Sequence, residues 1–109
     1  MQVEWLTAAE DDLREIARQV ALNFGYVTAE RTVVSVTEET QRLADFPELG
    51  RICDEYEDSR RVYRSLSTRH DRIVYTVIAD RILIVAVFDC RRDPADLTSI
   101  LKERDTQTR

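Results

Sequence analysis

Apolar residues recur every three or four positions through the first half of the chain, then crowd into alternating and continuous runs. Ala9, Leu13, Ile16, Ala17, Val20 and Phe24 form one stripe at helical spacing. The stripe predicts a helix over residues 8–24, with Gly25 as its stop. Thr7-Ala8-Ala9-Glu10 matches a capping box, in which the Thr oxygen accepts from the third amide and the Glu reaches back. Asp11 and Asp12 follow in the first turn, where the helix dipole favours negative charge. Ala29, Val33, Val36, Leu43 and Phe46 make a second stripe, with Glu30, Arg31, Glu38, Glu39 and Arg42 on other faces. Pro47 ends it. The short connection at Gly25 makes the two helices an antiparallel hairpin. Val3-Glu4-Trp5-Leu6 reads as a short strand ahead of them.

Beyond Gly50 the period changes. Arg61 to Leu66 alternates in strand fashion. Residues 72–78 and 82–88 are β-branched, aromatic and nearly continuous in apolarity, as in strands covered on both faces or on one face and by a partner. Ala79-Asp80-Arg81 joins them as a tight hairpin without Gly or Asn. Residues 52–60 read as an irregular loop or a weak strand. Asp93 and Pro94 form a helix start, with Asp93 capping and Pro94 at the first helical position of a short helix that ends near Lys102. The predicted fold is α+β: a two-helix hairpin packed on a small antiparallel β-sheet, in the order β-α-α-β-β-β plus a short C-terminal helix. One domain spans residues 1–104, and residues 105–109 are expected to be a disordered polar tail.

Bulk properties narrow the classes. At 109 residues the chain can bury one modest core without staples. With 43% hydrophobic and 34% charged residues it is globular rather than disordered. No apolar run reaches the roughly 18 residues of a membrane span, and MQVEWLTAAEDD carries no secretory leader pattern. A cytoplasmic protein without membrane attachment is expected. Cys53 and Cys90 lack metal-ligand spacing, and with His70 as the single imidazole neither a metal nor an organic cofactor is expected.

Net charge of -5 hides an asymmetry. Residues 1–50 hold four Arg against ten Asp and Glu; residues 59–92 hold eight Arg against three Asp. Those arginines are Arg60, Arg61, Arg64, Arg69, Arg72, Arg81, Arg91 and Arg92. Arg offers a planar fork suited to phosphate or carboxylate. The competing reading is that Arg92 pairs with Asp93 to tie down the loop while Arg91 is solvated, and exposed pairs contribute only ~0–1 kcal/mol each.

Four phrases, in this order, carry a resemblance: WLTAAEDDLREI, LADFPELGR, DRIVYTV and VFDCRRDP. Together they resemble the RelE/ParE superfamily of small bacterial toxins, and the PELG ending of a long helical hairpin looks closer to ParE. The resemblance implies a toxin encoded beside an antitoxin that wraps around it in a hetero-oligomer. ParE-type members inhibit DNA gyrase by contact; RelE-type members enter the ribosome and cut mRNA. RelE-like cleavage uses basic residues and often a C-terminal Tyr. Arg72 and Arg92 match two of the basic positions and are the catalytic candidates of that alternative. The Tyr would fall near Leu97-Thr98, and the stretch where lysines are expected reads CDEYEDS, with Asp54, Glu55, Glu57 and Asp58. A non-toxic degenerate member is a third alternative. On the ParE-like reading, Arg60, Arg61, Arg72, Arg91 and Arg92 form the target-binding surface. Leu22, Tyr26, Val34 and Leu49, which fall off the inward stripes, and Tyr63 are the antitoxin-binding candidates.

Overall fold

The computed structural model describes residues 1–54, 56 and 60–107. The chain runs β1 (Gln2–Trp5), α1 (Thr7–Phe24), α2 (Tyr26–Asp45), β2 (Arg51–Ile52), β3 (Tyr63–Ser67), β4 (Asp71–Ile78), β5 (Arg81–Asp89) and α3 (Pro94–Asp105). One five-stranded sheet has the order β1-β5-β4-β3-β2. The expected antiparallel pairing holds from β2 through β5, and β1 joins β5 in parallel.

The sheet is covered on both faces, one of the two arrangements that its continuous apolar runs allow. On one face Ala9, Val36 and Leu43 of the helical hairpin pack on Ile73, Tyr75, Ile82, Ile84 and Val87. On the other, Leu97 and Leu101 of α3 pack on Tyr63, Val74, Leu83 and Phe88. A register shift in β5 between its partners Val74 and Tyr75 leaves Val85 as the extra residue of a bulge. Val85 and Ala86 therefore both point to the α3 side.

The start of α1 differs from expectation. Leu6 is the N-cap, in extended conformation and without a side-chain cap; Thr7 is already helical. Leu6 stays in the sheet because its N–H donates to the Ile84 carbonyl at 3.0 Å. Its own carbonyl accepts from Ala9 and Glu10, so the capping box does not form. Gly25, at φ 93°, ends α1 and starts α2 in a single residue. Asp93 does cap α3, accepting from the Ala95 N–H at 3.0 Å with Pro94 behind it. The β4–β5 turn holds Ala79 at φ 55°, a conformation usually left to Gly or Asn.

Two residues of the predicted apolar stripes are exposed. Phe46 follows the last turn of α2 and is exposed. Phe24 is exposed because the hairpin outruns the sheet. Asp12 of α1 sits at Val87, and Phe24 lies ~18 Å further along the helix, whereas β5 continues only ~7 Å to Asp89. The last turns of α1 and the first of α2 thus project past the strand ends. α3 also runs one turn beyond Lys102. Tyr63 donates its hydroxyl to Asp105 at 2.5 Å, and Tyr56 does so at 3.3 Å. Asp105 therefore belongs to the fold rather than to a tail; residues 108–109 lie outside the described residues.

Candidate functional site

The projecting hairpin and the sheet end enclose a cleft of about 360 Å³. Ile16, Val20 and Phe24 of α1 form its apolar wall, Thr28 and Thr32 of α2 its far side, and Val87, Asp71 and Asp89 its floor. Arg91 and Arg92 stand at its rim. Asp71 and Asp89 are directly opposed on adjacent antiparallel strands. Arg91 grips Asp89 through Nη2 at 2.7 Å and Nε at 3.1 Å, and its backbone N–H adds a third bond. That grip holds the Asp89 carboxyl below its usual range. Asp71, only 4% exposed, is pushed up by burial and by the charge of Asp89. In the wall, the hydrogen bonds from Arg18 and then Gln19 bring Glu15 down to about 2.

Deeper in, an ion pair takes over where β1 ends. Arg104 donates to both Asp12 oxygens, at 2.5 and 2.9 Å, and to the Val85 carbonyl at 2.9 Å. Asp12 in turn accepts the Val87 N–H at 3.0 Å. The two side chains thus satisfy backbone groups that a longer β1 would have paired.

The five arginines assigned to one target surface divide into two groups. Arg72, opposite Phe88 in register, donates to Ser65 Oγ at 3.0 Å and lies 3.8 Å from Cys53 Sγ. Arg92 stacks over the Phe88 ring, 4.9 Å from its centroid, and lies 3.6 Å from Asp96. These two and Arg91 share one sheet end. Arg92 does not pair with Asp93, because the cap of α3 engages that carboxylate, and Arg91 is bound to Asp89 rather than solvated alone. Arg60 and Arg61 precede Tyr63, which pairs with Thr76 near the other end of β4. The four-residue step from Thr76 to Arg72 separates the rows by ~13 Å before Arg60 and Arg61 are counted. The register therefore keeps them from joining the strand-end group.

The apolar candidates divide similarly. Leu22 and Tyr26, the latter 82% exposed, lie at the hairpin tip beside Phe24 and Val27; Val34 continues that surface along α2. Leu49 is exposed in the turn that leads to the short edge strand β2, with Phe46 and Ile52 nearby in sequence and also exposed. Tyr63 is 1% exposed, with its ring in the core and its hydroxyl on Asp105. It is a structural residue, not a surface anchor. Of the acidic stretch, Glu55, Glu57 and Asp58 lie outside the described residues, while Asp54 is exposed. Among the described residues no group of three or more His, Cys, Asp or Glu is placed to hold a metal ion. Cys53 is buried and Cys90 exposed, and neither is in a disulfide; no described helix is long and apolar enough to cross a membrane.

Sequence reasoning missed the Asp71–Asp89 opposition and the Asp12–Arg104 pair. The first depends on the bulge and the second on three elements meeting, so neither has a local signature.

A helical hairpin and a short helix on opposite faces of a mixed sheet, with arginines gathered at one sheet end, place the chain among the small α+β toxins that its sequence resembles. The profile of the family described as ParE toxin of type II toxin-antitoxin system, parDE, matches residues 3–94. The chain belongs to that family. Among solved structures it is similar to one described as the chromosomal ParDE TA system from P. aeruginosa, with a TM-score of 0.70 and 19% identity over 82% of this chain and 95% of that one. At that identity the likeness speaks for the fold. No curated protein sequence matches the chain.

Proposed function

We propose that this chain is a toxin that inhibits DNA gyrase by binding it in the bacterial cytoplasm and is neutralised by a cognate antitoxin. The family match over residues 3–94 carries this reading. The sheet-end chemistry supports contact over cleavage. Cutting an RNA strand needs an activated 2′-hydroxyl, a stabilised phosphate and a protonated leaving oxygen. Arg72 bonds Ser65 and lies against Cys53, and Arg92 stacks on Phe88; either guanidinium can steady a phosphate, but neither supplies the base that activates the 2′-hydroxyl. Where a RelE-like Tyr would fall, the chain has Leu97, which is buried under the sheet, and Thr98.

Arg72, Arg91 and Arg92 form the target-facing group in this reading, with Arg60 and Arg61 as a separate contact. The antitoxin covers Leu22, Tyr26 and Val34 with an amphipathic helix and reaches Leu49 beside the β2 edge. The test is induction of the chain alone in bacteria, with pulse-labelling of DNA and protein synthesis in the first minutes. DNA synthesis falls first, and the purified chain blocks gyrase supercoiling. An early collapse of protein synthesis would instead make Arg72 and Arg92 catalytic candidates. Unimpaired growth with soluble, folded protein would leave a non-toxic member of the family.

A further inference from the structure

Among the described residues that line the cleft under the projecting hairpin, one carboxylate is bonded by no side chain, although His70 and Arg91 attract it at longer range. Arg104 neutralises Asp12, Arg18 neutralises Glu15, and Arg91 neutralises Asp89. Asp71 has no such partner. Its backbone N–H and carbonyl bond with Thr68, but its carboxylate makes no hydrogen bond or ion pair with any described residue. No fully buried side-chain oxygen lacks a partner among the described residues. The Asp71 oxygens, within a residue only 4% exposed, therefore open onto the cleft they line.

A buried carboxylate bonded by no side chain, below apolar walls, is complementary to one cation on an apolar stem. Lys and Arg side chains have that form. We infer that this cleft is the seat of a single Lys or Arg from the antitoxin, presented between apolar residues that pack on Ile16, Val20 and Phe24, with its charge on Asp71. The inference rests on the antitoxin reading above and adds a specific anchor to it. A guanidinium or ammonium there also relieves the opposition between Asp71 and Asp89: Arg91 bonds Asp89 alone, and it and His70 reach Asp71 only through longer-range attraction.

The experiment uses the full chain and the full polypeptide encoded beside it, with affinity measured by calorimetry. Wild type binds, and Asp71→Asn weakens binding by roughly 30-fold or more, as for loss of one partner in a desolvated charge pair. Asp11→Asn, an exposed carboxylate paired with Arg14 on the outer side of α1, serves as the control and changes affinity less than two-fold. Circular dichroism shows Asp71→Asn folded, since the substitution removes a like-charge opposition. Alanine replacement of each Lys and Arg of the partner identifies one residue whose loss costs the same and adds nothing on top of Asp71→Asn.

If wild type fails to bind the encoded partner, the antitoxin reading falls. If wild type and Asp71→Asn bind equally well, the anchor alone is wrong. Sedimentation of the isolated chain checks another occupant. Self-association that disappears in Asp71→Asn would assign the cleft to a second copy and overturn the inference.

Discussion

Replacing Asp12 by Ala removes the side chain that substitutes for the missing end of β1. β1 stops at Trp5, opposite Ile84, so the outer edge of β5 beyond that point has no strand beside it among the described residues. Asp12 accepts the Val87 N–H there, and Arg104 covers the Val85 carbonyl. Side-chain exposure is 13% for Arg104 and 20% for Asp12, so water replaces these bonds poorly. Breaking a buried ion pair by removing one partner costs ~3–5 kcal/mol. Partial exposure argues for the lower end, so Asp12→Ala loses ~3 kcal/mol. The whole fold is worth on the order of 5–15 kcal/mol. With a urea dependence of ~1.5 kcal/mol/M, the unfolding midpoint drops by about 2 M. Asp12→Asn keeps an acceptor for Val87 and loses less. The assay is urea unfolding of wild type, Asp12→Ala, Arg104→Ala and the double variant. Once Asp12 is gone, losing Arg104 removes a stranded charge, so the double variant loses much less than the sum. A single-variant loss below ~1 kcal/mol, or additive losses with no coupling, would refute the role assigned to this pair.

The PELG turn and the acid pair give two further tests. A Cβ on Gly50 would lie 2.8 Å from Tyr75 Cε1 and 2.9 Å from the Ser65 carbonyl oxygen, so Gly50→Ala costs ~1–3 kcal/mol by overpacking. Tyr75→Phe strands the Gly50 N–H and the Pro47 carbonyl, which the hydroxyl bonds at 2.9 and 2.8 Å, and costs ~1–3 kcal/mol; thermal melts that match wild type would exclude both effects. Asp71 has a raised folded pKa, so its contribution favours folding below the ordinary carboxylate range and is lost as pH rises through the folded value. Asp71→Asn removes that loss and raises stability at pH 7 by ~0.2–1 kcal/mol, the scale of a like-charge cross-strand pair. The gain vanishes near pH 3; an equal gain at both values in paired melts would point to a cause other than ionisation.

The helices and strands were legible because periodicity is a local property. The two apolar stripes specified the hairpin, and the uninterrupted runs from Arg72 to Phe88 specified strands covered on both faces or on one face and by a partner. The cap of α1 was misread because the motif at Thr7 ignores where Leu6 is held. Its bond to Ile84 depends on a strand 78 residues away in sequence. Register decided the arginines. Arg60 and Arg61 looked contiguous with Arg91 and Arg92 on a charge count, but the Tyr63–Thr76 pairing sends them to the opposite end. The bulge had the largest effect on the site. Continuing the Ile78–Arg81 register without a shift would place Asp71 opposite Phe88 and Asp89 opposite His70. The extra residue at Val85 advances the ladder by one and sets the two carboxylates face to face. Turn residues alone do not encode that step.

Their placement also links the two proposed surfaces. Arg91 and Arg92 rim the cleft whose floor holds Asp71. On the proposed reading, a polypeptide that seats a cation on Asp71 lies beside Arg91 and Arg92, and it covers these two arginines of the proposed target-facing group without contacting Arg60 or Arg61. On the proposed functions, neutralisation then acts by occlusion: one segment satisfies the acidic floor and hides the basic edge. The charges make this arrangement selective. In these proposals gyrase contact needs the arginines accessible, whereas the antitoxin needs the carboxylate behind them. Asp71→Asn therefore weakens neutralisation while leaving Arg72, Arg91 and Arg92 available to the target. In cells carrying both genes, its expected phenotype is escape from the antitoxin rather than loss of toxicity. Loss of toxicity with intact antitoxin binding would instead place Asp71 in the target contact.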